Sequence, residues 1–381
     1  MGNPAFGVLR RLVIKIGSAL LIDSQGELNR SWLEGLLHDV ADLQADGRQV
    51  LIVSSGAVAL GCSRLKMNRR RARLEELQAA AAVGQVRLAH AYQELLAQFD
   101  LSGAQVLLTP DDTELRRRFL NARGTLEKLL ELSVVPVINE NDTVATDEIR
   151  YGDNDRLAAR VAQLVMADGL VLLSDVDGLY SADPRRDAGA RHIPVVDDID
   201  DDIIALAGDA GSSHGSGGMK TKLQAALIAA RAGCSTFIAS GAVGHPLKAL
   251  ADGARCTVFR APATPAAARK QWLAGMLEVR GELRLDSGAT IALQNGKSLL
   301  PVGIAEVVGI FGRGDAVMLV AANGTELGRG LVAYSSDEIR IIRGSRSEDI
   351  EVKLGYRGRA GAVHRDDLVL FVDVGQGNRQ P

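Results

Sequence analysis

Two segments of the 381-residue chain combine lysine with glycine in a way that could bind phosphate. In the first, Lys15 stands inside an apolar run and is followed by Gly17 and Ser18. A buried lysine is costly unless it meets an anion, and glycine lets the backbone approach that anion closely. Taken alone, the segment fits an edge-strand lysine whose ammonium group reaches water equally well.

The second segment, residues 215–222 (GSGGMKTK), precedes a strong helical pattern. A glycine-rich turn at a helix amino terminus, with lysine nearby, describes a phosphate cradle. It is not a Walker A motif, because Met219 separates the glycines from Lys220. No dinucleotide GxGxxG motif follows a predicted strand, which argues against a nicotinamide enzyme. Only nine of the 44 basic residues are lysines, and three of these nine lie in the two segments.

Four further polar clusters follow apolar runs or open a helical pattern, at Ser54 with Ser55, at residues 139–142, at residues 152–155, and at Ser174 with Asp175. Amide and carboxylate groups of this kind could recognise the ammonium and carboxylate of an amino acid, or organise a metal. A serine helix cap or an Asx-rich turn explains each cluster without any function. Two amide-and-carboxylate clusters so close in sequence are a stronger signal than either alone.

The elements that would position these residues are short apolar runs alternating with amphipathic stretches up to about residue 260. The runs cover residues 12–16, 50–53, 104–108, 134–138, 170–173, 236–239 and 257–259. This alternation predicts an α/β fold with a mostly parallel sheet sandwiched by helices. Ligands bind at the carboxyl ends of strands in such sheets, where the polar clusters fall.

The pattern changes after a Pro/Ala-rich stretch. We predict an α/β domain over 1–260, a linker with a short helix over 261–278, a small β-rich domain over 279–368 and a tail over 369–381. In the third region, including residues 287–300, the pattern predicts short strands separated by glycine-rich turns such as Asn295-Gly296 and Asn323-Gly324.

Composition excludes several classes of function. The net charge of −3 and the 4% aromatic content argue against a nucleic-acid binder, because that function needs cationic residues and stacking platforms. Cys62, Cys234 and Cys256 are widely separated and form no zinc motif, which fits a reducing compartment. No uncharged apolar run is long enough to span a membrane. We therefore expect a cytoplasmic protein without a membrane segment.

The ordered motifs KIGS, SSGA, NEND, GDND, LLSDVDGLY and GSGGMKTK, with FLNAR at 119–123, resemble the amino acid kinase family. The later motifs GATIAL, SLLP, LGYR and AVHRDD resemble the PUA domain that some bacterial members carry. The resemblance covers about residues 10–368 and is closest to members that act on L-glutamate. It implies transfer of the ATP γ-phosphoryl group to the glutamate side-chain carboxylate, with Mg²⁺, as the first step of proline synthesis. Such a carboxylate is ionised at pH 7 and needs no general base.

The resemblance also implies roles for individual residues. Lys15 and Lys222 would contact the transferring phosphoryl group, and Asp155 would orient both lysines. Glutamate would be bound by Ser55, Asp142 and Asn154. ATP would be bound by Lys15, Ser174, Asp175, Ser216, Gly217, Gly218, Met219, Lys220, Thr221 and Lys222. No residue is assigned to the metal.

Further implications concern partners. The family resemblance implies feedback inhibition by proline, a homo-oligomer, and hand-over of a labile acyl phosphate to glutamyl phosphate reductase. Two alternatives stay open. One is another acyl-phosphate-forming kinase, acting on aspartate or acetylglutamate. The other is an RNA-binding protein that uses the PUA-like region, although residues 261–381 carry fifteen basic and fourteen acidic residues, which disfavours RNA.

Overall fold

A computed structural model describes residues 2–144, 154–207, 218–275 and 278–371 of the protein. Contacts between residues divide the chain into two units, Met1–Pro265 and Ala266–Pro381. The strands of the first unit are β1 (Arg11–Ile16), β2 (Gln49–Val53), β3 (Gly103–Leu108), β4 (Val135–Glu140), β5 (Gly169–Ser174), β6 (Leu179–Tyr180), β7 (His192–Ile193), β8 (Val195–Val196), β9 (Ser235–Ser240) and β10 (Cys256–Phe259). Its helices are α1 (Pro4–Gly7), α2 (Ser18–Leu21), α3 (Arg30–Ala45), α4 (Ala57–Arg64), α5 (Leu74–Ala97), α6 (Pro110–Glu114), α7 (Arg116–Glu131), α8 (Asn154–Leu164), α9 (Asp201–Ala205), α10 (Met219–Arg231) and α11 (Pro246–Ala251).

Eight of these strands form one sheet in the order β3-β4-β2-β1-β5-β9-β10-β8. The first six run parallel to one another, β10 is antiparallel to β9, and β8 is parallel to β10. The carboxyl ends of β4, β2, β1 and β5 therefore lie side by side at one edge. The predicted α/β fold with a mostly parallel sheet is confirmed.

Helices cover both faces of this sheet, as the two separate cores show. On β1, Leu12, Ile14 and Ile16 belong to the core that packs against α3 and α5. Val13 belongs to the opposite core, which packs against α7, α8 and α10. Because side chains alternate along a strand, Lys15 lies on the Val13 side, toward α8 and α10.

The second unit contains a five-stranded sheet in the order β12-β11-β13-β14-β15. Neighbouring strands are antiparallel except for the parallel pair β11 and β13. The elements of this part of the chain are α12 (Pro265–Ala274), β11 (Gly281–Leu285), α13 (Ser287–Gln294), β12 (Ile304–Gly309), β13 (Ala316–Val320), β14 (Glu326–Val332), α14 (Ser336–Ile342), α15 (Ile350–Leu354) and β15 (Val363–Leu370), with 3₁₀ turns at Pro301–Gly303 and Ser347–Asp349.

One prediction within this unit is wrong. Residues 287–294 form helix α13 rather than a strand, because the Asp286 carboxylate accepts the Ala289 N–H at 2.6 Å and caps the first turn. Asn295-Gly296 consequently ends a helix. By contrast, Asn323-Gly324 lies in the turn between the antiparallel strands β13 and β14, as predicted, with Gly324 at φ +85°.

Helix α12 lies in the region predicted as a linker, and its side chains pack within the second unit. Leu273 is fully buried against Ala316 and Leu331. The Arg269 guanidinium donates to the Asp367 carboxylate at 2.6 Å, and both side chains are buried. The predicted domain limits themselves stay a prediction. In the described part of the chain, no helix has the length and apolar character needed to cross a membrane.

Candidate active site

The first part of the site is a buried lysine on the central strand. Lys15 is the fifth residue of β1 and is only 7% exposed. Its ammonium nitrogen lies 2.5 Å from Oδ1 of Asp155, in the first turn of α8. The strand places Lys15 on the sheet face that α8 covers, so the ion pair follows from the alternation along β1. Lys15 therefore meets an anion and is not an edge-strand lysine exposed to water.

A second buried lysine contacts the same carboxylate. Lys222 is the fourth residue of α10 and is 5% exposed. Its Nζ lies 3.3 Å from Oδ2 of Asp155. The Thr221 hydroxyl lies 2.9 Å from the same oxygen and 2.9 Å from the Gly218 carbonyl, and can donate to either. We call Lys15, Asp155, Thr221 and Lys222 the lysine cluster.

The charges of this cluster determine the protonation of its carboxyl group. Burial by itself raises the pKa of Asp155, because a carboxylate loses hydration in the interior. The Lys15 and Lys222 ammonium groups, with the hydrogen bonds from Lys15 and Thr221, outweigh burial and lower this pKa to about 2. Asp155 is therefore ionised at neutral pH, and the cluster carries a net positive charge that suits a phosphate group.

The neighbouring residue on α8 belongs to a different set of contacts. Asn154 is 7% exposed, and its Nδ2 donates to the Ser54 carbonyl and to the Ser55 hydroxyl, each at 2.8 Å. The Oδ1 atom of Asn139 lies 3.1 Å from the same nitrogen. These contacts join the ends of β2 and β4 to the start of α8. We call Ser55, Asn139 and Asn154 the amide cluster.

Two residues of this region were not assigned a role from the sequence. Asn139 is the first residue of the NEND motif, lies in β4 and is 2% exposed, which is unusual for an asparagine. Tyr92, on α5, is buried, and its hydroxyl lies 3.0 Å from the Ser54 hydroxyl. Burial is the main cause that raises the pKa of Tyr92. A polar residue ending an apolar strand was the available signal for Asn139, whereas nothing local indicated Tyr92.

Asp142 lies two residues beyond β4 and is half-buried. Burial raises its pKa to about 6, and the opposing charge of Arg69 limits the increase. The described contacts do not join Asp142 to the amide cluster. Its predicted role therefore depends on its position at the end of β4 and on its unusual pKa, and stays a prediction.

Apart from Lys15, the described residues predicted to bind ATP lie at the end of β5 and at the start of α10. Ser174 ends β5, which pairs with β1, and its hydroxyl donates to the Asp175 carboxylate at 3.0 Å. Ser174 is buried and Asp175 is exposed. Gly218 caps α10, and Lys220 is exposed on its first turn. Two further predicted residues, Ser216 and Gly217, lie outside the described residues.

Comparison with known proteins supports a specific assignment. The sequence model described as the amino acid kinase family matches residues 10–240, and that of the PUA domain matches residues 281–354. The chain is 58% identical to glutamate 5-kinase from Paramagnetospirillum magneticum over 95% of this chain and 98% of that protein. It is 55% identical to glutamate 5-kinase from Bradyrhizobium diazoefficiens over 97% of this chain and all of that protein.

The chain belongs to the amino acid kinase family. Its curated relatives are named glutamate 5-kinase, and this chain also carries a PUA domain, so the family predicted from the motifs is confirmed. Similarity to solved structures is lower. The carbamate kinase from Giardia lamblia, solved with AMP-PNP, is 15% identical, with a TM-score of 0.48 over 66% of this chain and 99% of that one. The functional comparison therefore depends on the curated relatives.

Membership in this family makes the protein a kinase that uses ATP, and such an enzyme requires a divalent metal ion. Among the described residues, one group of three metal-binding side chains comes together, at His38, Asp39 and His245 on α3 and before α11. It does not include any residue of the lysine cluster.

Proposed function

We propose that this chain transfers the γ-phosphoryl group of ATP to the side-chain carboxylate of L-glutamate, forming L-glutamyl 5-phosphate and ADP. The relatives at 55–58% identity over nearly their whole length carry the name of this activity. Their names supply the substrate, and the geometry of the site supplies the chemistry.

The observation that carries the chemistry is the pair of buried lysines on one ionised carboxylate. The reacting glutamate carboxylate is itself the nucleophile and has an ordinary pKa near 4.3, so no base must remove a proton. Phosphoryl transfer then depends on positioning and on stabilising the charge of the transferring group. Lys15 and Lys222 would contact the phosphoryl oxygens, and Asp155 would keep both ammonium groups in place.

We assign glutamate binding to the amide cluster and Asp142. Hydroxyl and amide groups of Ser55 and Asn154 suit the α-carboxylate and ammonium of an amino acid, and an ionised Asp142 suits the ammonium. Because Asn154 and Asp155 are adjacent on α8, an amino acid bound by the first would extend toward the lysines held by the second. The length of its side chain would then decide whether its carboxylate reaches the phosphoryl group.

We assign ATP to Ser174, Asp175 and the segment 216–222, with Mg²⁺ as the divalent ion. The ion would be held mainly by the phosphates of ATP and by water, which is the usual way Mg²⁺ binds at nucleotide sites. When bound, it would neutralise charge on the phosphates. Within this segment, the Thr221 hydroxyl lies within hydrogen-bond distance of the Asp155 carboxylate.

The test is release of ADP by the purified full-length protein with ATP and Mg²⁺ and one acceptor at a time. L-glutamate should support turnover, and L-aspartate and N-acetyl-L-glutamate should not. Hydroxylamine in the reaction should convert the labile acyl phosphate to a hydroxamate, which identifies the bond formed. Removal of the metal with EDTA should stop the reaction. Absence of glutamate-dependent ADP release would refute the proposal.

We further propose that L-proline inhibits the enzyme near the glutamate site, that the protein acts as a homo-oligomer in the cytoplasm, and that glutamyl phosphate passes to glutamyl phosphate reductase. The reasons are the end-product logic of proline synthesis and the lability of an acyl phosphate in water. Repeating the assay with L-proline tests the inhibition. Light scattering of the purified protein tests the oligomer.

A further inference from the structure

The orientation of the two asparagine side chains in the amide cluster is fixed by the backbone. The Glu140 N–H donates to Oδ1 of Asn139 at 2.9 Å. Nδ2 of Asn154 donates to the Ser54 carbonyl at 2.8 Å. A backbone N–H can only donate and a carbonyl can only accept, so turning either amide round would lose a hydrogen bond.

This orientation leaves one atom in need of a donor. Oδ1 of Asn154 is closed off from solvent and has no hydrogen-bond partner among the described residues. A buried acceptor without a donor is unfavourable, and such atoms are rare in folded proteins. The ammonium group of an amino acid is a donor of the right kind, so the unpaired oxygen indicates where that group would bind.

Gln85, on helix α5, contacts the amide cluster through Asn139. Nδ2 of Asn139 donates to Oε1 of Gln85, on α5, at 2.8 Å. Helix α5 comes this close because it packs tightly on α4, where a Cβ at Gly84 would lie 1.8 Å from the Ala57 carbonyl oxygen. Helix α4 begins two residues after Ser55, so the same packing supports both sides of the cluster.

We infer that Gln85 is a positioning residue for the amino-acid substrate. Its Oε1 accepts a hydrogen bond from Nδ2 of Asn139 and so keeps Oδ1 of Asn139 against Nδ2 of Asn154. Oδ1 of Asn154 then faces the substrate ammonium. Gln85 touches neither substrate, and its effect passes through two side chains. This inference rests on the proposed function and adds a determinant of glutamate affinity that lies outside the binding residues.

The test compares Gln85→Leu with Gln85→Glu in the full-length enzyme. Leucine removes the acceptor and leaves the Asn139 N–H unpaired, so the KM for glutamate should rise by about fivefold to twentyfold. The kcat and the KM for ATP should stay within about twofold, because the lysine cluster is untouched. Gln85→Glu keeps an acceptor oxygen at this position, so the KM of this variant for the substrate glutamate should lie within about twofold of the wild-type value.

Gln93→Leu is the matched control, since Gln93 lies exposed two turns further along α5 and should leave all three constants unchanged. Thermal unfolding of each variant is followed in parallel, and Gln85→Met replaces Gln85→Leu if the latter does not fold. An unchanged KM in the leucine or methionine variant overturns the inference. A loss of kcat or of stability without a change in the KM for glutamate also overturns it. The same holds if Gln85→Glu raises that KM as much as Gln85→Leu does. An inactive wild-type enzyme would instead refute the proposed function.

Discussion

The lysine cluster and the amide cluster begin at adjacent residues of α8 and use opposite chemistry. Asp155 pairs with two cations, and its pKa falls to about 2. Asn154 is neutral, and its Nδ2 meets carbonyl, hydroxyl and amide oxygens at 2.8–3.1 Å. Charged side chains suit the transferring phosphoryl group, whose charge distribution changes during the reaction. Oriented amide groups suit the ammonium and α-carboxylate of the amino acid, which only have to be bound. Under the proposed function, two adjacent residues of α8 would therefore serve a catalytic task and a binding task.

The comparison predicts that variants of the two clusters change different kinetic constants. The largest effect is expected for Lys222→Met, which keeps the length of the side chain and removes its charge. The kcat should fall by about 10²–10³, as when a preorganised donor is lost, and the KM for glutamate should change by less than about threefold. Lys248→Met, an exposed lysine on α11, is the control. Steady-state kinetics at saturating ATP gives both constants, and a near-normal kcat would contradict the phosphoryl-contact role.

Asp155→Asn tests what holds the lysine cluster together. The change removes the carboxylate charge that both buried lysines contact, so the free energy of unfolding should fall by about 3–5 kcal/mol at pH 7. Urea denaturation at pH 7 measures this loss, with exposed Asp202→Asn as the control.

The dependence on pH gives a second measurement of the same cluster. In the wild type, the pKa of Asp155 is lower in the folded state than its ordinary 3.8, so the stabilisation is present above pH 3.8 and is lost as the pH falls through about 2. The difference corresponds to roughly 2 kcal/mol. Unfolding free energies of wild type and Asp155→Asn that run parallel across this acid window would contradict the assignment.

The two clusters also differ in how far the sequence predicts them. Lys15 and Lys222 stand out because lysine is rare in this chain and each lies close to a glycine, at the end of β1 or at the start of α10. The family resemblance supplied Asp155. Gln85 and Asn139 could not be paired in advance, since 54 residues separate them and an amide has no periodic signal. Their contact depends on the packing of α5 on α4, which no local pattern encodes.

The fold shows the same distinction between local and long-range information. The apolar run predicted at residues 12–16 is β1 (Arg11–Ile16), because a strand covered on both faces must be apolar throughout. Residues 287–294, which form helix α13 (Ser287–Gln294), were predicted as part of a strand because they lie in a region of short apolar runs separated by glycine-rich turns. The segment is helical because Asp286 caps its first turn and Leu293 is buried in the core of the second unit.

Asn154→Ala should break the amide cluster with a smaller effect on turnover. It removes the amide that meets Ser54, Ser55 and Asn139, together with the oxygen proposed for the ammonium. The KM for glutamate should rise by about tenfold to a hundredfold, as expected for losing one or two hydrogen bonds to a charged group. The kcat should fall by less than about fivefold. An equal loss of kcat and of kcat/KM would instead place Asn154 with the lysine cluster.

The smallest effect concerns Asp142, and it distinguishes charge from direction within the glutamate site. If only the ionised carboxylate binds the substrate ammonium, a pKa of about 6 makes the KM for glutamate rise by about tenfold between pH 7 and pH 5. The side chain of free glutamate titrates near pH 4.3 and contributes little in this range.

Asp142→Asn should give a KM for glutamate that is high and nearly independent of pH. Arg69→Gln should move the inflection to higher pH, because the Arg69 charge lowers the pKa of Asp142. A wild-type KM that stays constant from pH 7 to pH 5 would assign recognition of the ammonium to the amides alone.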